Sequence, residues 1–161
     1  MKGTLIFFCG KMGAGKSTRA ASMADELHGV LLSEDAWLAR LYAEEIRDFN
    51  DYLRHSARIK PLVESLVPAI VDAGVSVVLD FPGNTRKQRS WFRSLIQQTA
   101  APHRLIYCEA GDALCLGRLA LRRQKHPERA GFDNEAVFRQ VTKYFEPPGA
   151  DEGFRVEVLG E

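Results

Sequence analysis

Five short apolar segments punctuate the chain, at Thr4–Cys9, Val30–Leu32, Val75–Asp80, Arg104–Cys108 and Phe154–Leu159. Unbroken runs such as Leu5-Ile6-Phe7-Phe8-Cys9, rather than alternating ones, belong to strands buried on both faces of a parallel sheet. Between these segments the apolar spacing becomes helical. Ala20, Met23, Ala24 and Leu27 share one face of the first helix, and Gly29 is placed to cap its end. A longer insert, Asp35 to Gly74, carries Ile59, Leu62, Val63, Leu66, Val67, Ile70 and Val71 at helical spacing. Pro61 is expected in a first turn there and Pro68 at a kink. Asp133 reads as the N-cap of a last helix with Val137, Phe138, Val141 and Phe145 on its face, stopped by Pro147-Pro148-Gly149. Strands alternating with helices predict an α/β domain, with helices on both faces of the sheet.

Composition narrows the setting more than the chemistry. The 161 residues suit one domain, and no repeat or linker divides them. A net charge of +1 gives no overall field toward nucleic acid or membrane. No apolar run is long enough to span a bilayer, and Met1-Lys2 leads straight into the first strand without a signal-peptide pattern. Cys9, Cys108 and Cys115 are odd in number and lack metal-type spacing. They are expected as reduced thiols of a cytoplasmic protein, with Cys9 and Cys108, each ending an apolar strand pattern, packed in the core.

The chemistry is concentrated in one loop. Gly10, Lys11, Met12, Gly13, Ala14, Gly15, Lys16, Ser17 and Thr18 fit the phosphate-binding pattern G-x-x-x-x-G-K-[ST], between a strand and a helix. The glycines let successive backbone N–H groups point into one concavity, and the following helix N-terminus favours an anion. Lys16 is expected to reach the β- and γ-phosphates of a nucleotide, and the Ser17 hydroxyl to ligate Mg²⁺.

Other candidates lie at the carboxyl ends of strands, where open α/β sheets bind ligands. Ser33-Glu34-Asp35 ends the second strand. Asp35 reads either as the carboxylate that orients or deprotonates an attacking hydroxyl or as a helix cap, and Glu34 is the competing acid. Asp80 ends the third strand as an acid that would help hold Mg²⁺. The turn Phe81–Thr85 follows, then Arg86, Lys87, Arg89 and Arg93 on a helix. Arg86 and Arg89 are candidates for a substrate-side anion contact, against a merely solvated basic face. Arg118, Arg122 and Lys125 share a face of the next helix, with Arg123 and Arg129 extending the cluster. His126-Pro127 breaks that helix, so residues 118–132 read as a lid whose arginines close over ATP, against a merely solvated arginine-rich helix.

With these residues in place, the chain resembles the P-loop kinases of the polynucleotide-kinase and zeta-toxin group, and more closely the bacterial AAA-domain ATP-binding proteins. The resemblance implies a P-loop NTPase three-layer sandwich over residues 1–161, with a five-stranded parallel sheet in the order 2-3-1-4-5, a helical insert and a lid. It implies that Asp35, with Trp37 as the nearby aromatic, activates the acceptor. It also implies that Asp80 and Asn84 form the segment after the third strand, and that Arg118 and Arg122 serve the nucleotide. One departure stands out. Polynucleotide kinases have an arginine soon after the aspartate, whereas Leu38 follows Trp37 here and the nearest arginine is Arg40. That argues against nucleic-acid ends as the acceptor. The expected activity is transfer of the γ-phosphoryl of Mg·ATP to a hydroxyl of a small polar acceptor, with Trp37, Tyr42, Asp51, Tyr52, Arg54 and His55 of the insert suited to its pocket or equally to an ordinary surface. The alternatives are a nucleotide-binding switch or ATPase acting with a protein partner, or a nucleic-acid-end kinase.

Overall fold

The structure is a computed structural model that describes residues 1–160. Its elements run β1 (Leu5–Cys9), α1 (Lys16–Leu27), β2 (Val30–Ser33), α2 (Glu34–Tyr42), α3 (Phe49–Asp72), β3 (Val77–Asp80), α4 (Arg86–Thr99), β4 (His103–Cys108), α5 (Asp112–Lys125), α6 (Glu135–Thr142) and β5 (Val156–Leu159). All strand pairs are parallel, in the order β2-β3-β1-β4-β5, as expected. Every residue of β1 is buried, which explains its unbroken apolar run.

Alternate residues of β1 feed two cores. Leu5, Phe7 and Cys9 pack with Ile59, Val63 and Val67 of α3 and with Phe92 and Leu95 of α4. Ile6 and Phe8 pack with Ala20 and Met23 of α1, Cys115 and Leu119 of α5, and Phe138 of α6. Phe7 stacks on Phe92 with ring centroids 4.5 Å apart. Trp91 Nε1 donates to Glu64 Oε1 at 2.8 Å, tying α4 to α3. Cys9 and Cys108 are free and buried, as expected, and Cys115 is free and buried as well. Among the described residues no helix is long and apolar enough to cross a membrane.

Several local expectations are corrected. Pro61 is not in a first turn: α3 runs through both Pro61 and Pro68. Pro68 has no N–H for the Glu64 carbonyl four residues back, and Gln98 Nε2 approaches that carbonyl at 3.5 Å instead. Ile59, Val63, Val67 and Val71 are buried, but Leu62 and Leu66 face outward, because a four-residue repeat already fills the contact with the sheet. Leu27 is likewise exposed. The left-handed residue ending α1 is His28, at φ 50°. Gly29 is there because a Cβ would stand 2.7 Å from the Ser76 carbonyl oxygen. Asn134, not Asp133, caps α6, its side chain accepting from the Val137 N–H at 2.9 Å. That helix ends at Thr142, before Phe145 and the prolines.

Candidate active site

The loop from Gly10 to Gly15 joins β1 to α1 at the carboxyl edge of the central strand. Gly13 sits at φ 77°, and a Cβ there would lie 2.6 Å from the Cys115 carbonyl oxygen, so the α5 backbone closes against the loop. The Gly10 N–H donates to Asn84 Oδ1 at 2.8 Å, and the Asn84 N–H donates to Gln88 Oε1 at 2.8 Å. Asn84 therefore clamps the start of the loop to the turn before α4. No side chain caps α1, whose N-cap is Gly15, and its first turn holds no acid. The N–H groups at this helix end thus carry no side-chain competitor for an anion.

Lys16 Nζ donates to the Gly10 carbonyl and, at 3.1 Å, to that of Lys11, which places the ammonium across the loop. Burial pushes its pKa down, opposed by the nearby Asp80 and Asp35 carboxylates. Lys11 Nζ pairs instead with Asp112 Oδ1 at 2.8 Å. Asp80 ends β3 beside the Ser17 hydroxyl. Burial raises its pKa, as does Asp35, while Ser17 and Lys16 pull it down. Among the described residues no group of three or more acidic, histidine or cysteine side chains could form a protein-only metal cage. One hydroxyl and one carboxylate nevertheless fit Mg²⁺, which keeps waters and takes phosphate oxygens for its remaining positions.

The two acids opening α2 are separated by burial. Glu34 is buried, accepts from Ser56 Oγ at 2.6 Å and from the Tyr52 hydroxyl, and so ties α2 to α3. Burial pushes its carboxyl up, against those two hydrogen bonds. Asp35 is exposed and lines the cavity. Its capping alternative is corrected: Ser33 caps α2, accepting from the Ala36 N–H at 3.2 Å.

One cavity of about 950 Å³ receives Lys16, Ser17, Asp35, Asp80, Arg118 and Arg122 together. Gly13, Ala14, Gly15, Thr18 and Met12 also border it. Arg118 Nη1 donates to the Gly13 carbonyl at 3.3 Å, so this face of α5 does turn toward the loop. Arg122 and Arg129 both grip Asp133, which is buried, and Arg123 donates to the Asp133 carbonyl oxygen. Asp133 is the residue that pattern reading missed. Its short polar type and its place before an apolar helical face look like a cap, and the fold adds Arg122 of α5 to the nearby Arg129.

The substrate-side role for Arg86 and Arg89 is also corrected. Arg86 pairs with Asp151, with nitrogen–oxygen distances of 2.8 and 3.0 Å. Arg89 is fully buried and donates to Glu152 at 2.8 and 3.1 Å and to the Gly83 carbonyl at 2.9 Å. Of the polar insert residues, Tyr42 and Tyr52 line the cavity. Trp37 packs against the core, Asp51 and Arg54 pair with each other, and His55 is buried against Tyr42 at 4.2 Å between centroids.

This sheet order, with a glycine-rich phosphate loop at the carboxyl end of its central strand, defines an α/β domain of the P-loop NTPase class. Within that class, the chain belongs to the AAA-domain family, which matches residues 5–148. No curated protein matches it. Its fold is shared with a candidate kinase from Chloroflexus aurantiacus, at TM-score 0.78 and 20% identity over 99% of this chain and 89% of that one. The APS kinase CysC of Mycobacterium tuberculosis, solved with AMPPNP and APS, gives TM-score 0.67 and 17% identity over 99% and 88%. Kti12 of Chaetomium thermophilum, solved with ADP-AlF3, gives TM-score 0.70 and 16% identity over 97% and 88%.

Proposed function

We propose that this protein is an ATP-dependent phosphotransferase that moves the γ-phosphoryl group of Mg·ATP to a hydroxyl. The observation that supports this reading best is Asp35. It is an exposed carboxylate at the carboxyl end of β2, facing the same cavity as Lys16, Ser17 and Asp80. Ser33 already caps α2 and Glu34 already serves α3, so Asp35 has no structural task in its helix turn beyond a favourable sign of charge.

The triphosphate would lie along residues 10–18, its β- and γ-phosphates against the loop N–H groups and the start of α1. Lys16, now bonded to two loop carbonyls, would exchange them for phosphate oxygens. Ser17 and Asp80 would hold Mg²⁺, whose chemistry there is to neutralise the β- and γ-oxygens. Asp35 would orient the acceptor hydroxyl in line and take its proton as the new bond to phosphorus forms. Arg118 and Arg122 would neutralise charge on the transferring group from the lid side.

Incubation with γ-labelled ATP, Mg²⁺ and a panel of alcohols tests the reading. A labelled phosphomonoester is expected from the wild type and not from Asp35→Asn, which should still bind AMPPNP. Release of inorganic phosphate alone, unchanged by Asp35→Asn, would make the chain an ATPase and overturn phosphotransfer.

A further inference from the structure

The cavity has two unlike kinds of wall. The phosphate loop, Asp80 and the arginines of α5 are polar and charged. The insert contributes Leu38, Tyr42, Ile46, Phe49 and Leu53 beyond Asp35. The chain of α6 and just after it adds Val141, Tyr144 and Phe145. Three of these side chains are large and open to solvent: Phe49 at 51%, Leu53 at 49% and Tyr144 at 62% exposure. Large apolar groups exposed together in a concave site mark a surface kept for a ligand.

The cations of the insert lie elsewhere. Arg47, Arg54 and Arg58 border a separate surface depression beside Glu44, Glu45 and Asp51. Among the described residues no lysine or arginine of the insert lines the main cavity. The arginines that do line it come from α5 and the segment after it, where Arg122 and Arg129 share Asp133. Of the acids on the insert wall, Glu34 is bound by Tyr52 and Ser56. Asp35 is the one left facing a ligand.

Resting on the phosphotransfer reading above, we propose that the acceptor is an uncharged amphipathic alcohol. Its hydroxyl is presented to Asp35, and an apolar body of aromatic size is held by Tyr42, Ile46, Phe49 and Leu53. An anionic acceptor would bring a charge that finds no counter-ion on the insert wall. A polyol would bring several hydroxyls to a wall where, the Tyr42 hydroxyl aside, Leu38, Ile46, Phe49 and Leu53 offer no partner. An apolar body removes both that wall and itself from water. In the transfer the acceptor oxygen bonds to the γ-phosphorus, and the bond from that phosphorus to the bridging oxygen breaks. The electron pair stays on ADP, and the hydroxyl proton passes to Asp35 and then to water.

The test uses the full chain with three acceptors: naphthylmethanol, glycerol and adenosine monophosphate. Transfer from γ-labelled ATP is measured for each, and naphthylmethanol binding is titrated by its fluorescence with AMPPNP present. Transfer to naphthylmethanol is expected to exceed the other two by about a hundredfold in kcat/KM. Leu53→Asp and Phe49→Ala, at half-exposed positions that tolerate change, should each weaken its binding about tenfold while AMPPNP binds as before. Transfer that prefers glycerol or adenosine monophosphate, with no binding of naphthylmethanol, overturns this acceptor class and leaves phosphotransfer standing. Leu53-dependent binding without transfer to any alcohol keeps the apolar site and overturns phosphotransfer. Neither binding nor transfer overturns both.

Discussion

The Arg122 guanidinium donates from Nε and Nη2 to the two carboxylate oxygens of Asp133, at 2.7 and 2.8 Å. Arg129 Nε adds a third bond to the same carboxylate at 2.6 Å. Burial pushes the Asp133 carboxyl up, but the two guanidiniums outweigh it and hold it below the usual carboxylate range. One carboxylate shared by two guanidiniums leaves a surplus positive charge beside the cavity. That surplus is oriented, because the fork geometry fixes both arginine planes.

Arg118 and Arg122 should therefore separate when each is replaced by alanine. Both variants are expected to lower phosphoryl transfer by about a hundredfold, with weaker effects on AMPPNP affinity, if their contacts strengthen in the transition state. Only Arg122→Ala should also lower stability, by about 2 kcal/mol, because it strips two bonds from a buried carboxylate. Arg118 makes a single 3.3 Å bond to the Gly13 carbonyl. Urea unfolding alongside single-turnover transfer reads both effects, and equal stability losses would remove the distinction.

Lys16→Ala is expected to reduce transfer by about a thousandfold or more, since the lysine is the point charge nearest the β- and γ-phosphates. Its bonds run only to the neighbouring Gly10 and Lys11 carbonyls, so the circular dichroism spectrum should not change. Wild-type turnover in this variant would dissociate the loop from phosphate chemistry.

Asp35→Asn and Glu34→Gln should fail in different ways. The first removes a proton acceptor and should cut transfer strongly at unchanged stability. The second tests a carboxyl that burial holds above its ordinary pKa. With the folded-state value raised, the unfolded chain loses its proton first as pH rises. Stability from this group is thus full below the unfolded pKa and lost as pH climbs through the folded one. The wild type should accordingly gain stability relative to Glu34→Gln on acidification from neutral pH. Urea midpoints of both proteins across that range measure it, and a pH-independent difference would mean Glu34 is not perturbed.

Arg89→Met should be severely destabilising, by about 3–5 kcal/mol, because it leaves Glu152 buried without its counter-ion. Burial raises the Glu152 pKa, but Arg89 and the Gly149 N–H bring it below the ordinary range. Replacing both residues together, Arg89→Met with Glu152→Leu, should recover most of that loss. Comparing the single and double variants in urea isolates the pairing from the packing.

The sheet order and the phosphate loop were legible, and Asp35 and Asp80 could be placed at the carboxyl edge of the sheet, because each follows from a local signal: a period, a glycine spacing, an acid at or just after a strand end. The rest depended on partners that no local pattern names, from Arg129 four residues before Asp133 to Glu152 at the far end of the chain from Arg89. Arg89 and Glu152 are 63 residues apart, and nothing local distinguishes this buried arginine from the exposed Arg86 three residues earlier. Asp133 has the look of a cap in the sequence because caps and buried ion-pair acceptors use the same residue types. Glu34 and Asp35 could not be ranked without knowing that α3 brings Tyr52 and Ser56 to the first of them. The insert's polar residues suggested a polar pocket, but helical rotation turned Asp51 and Arg54 away and Leu53 inward.

The buried Arg89 also bears on how the chain is made. Synthesis delivers α4 well before Glu152. Until residue 152 has emerged, the Arg89 guanidinium lacks the carboxylate that its place against β1 requires. A nascent chain stopped short of that point should keep α4 from settling on the sheet, leaving Phe92 and Leu95 available to chaperones. Final docking of that layer would then wait for the segment leading into β5, and one ion pair would link two distant stretches of the chain in the order of assembly.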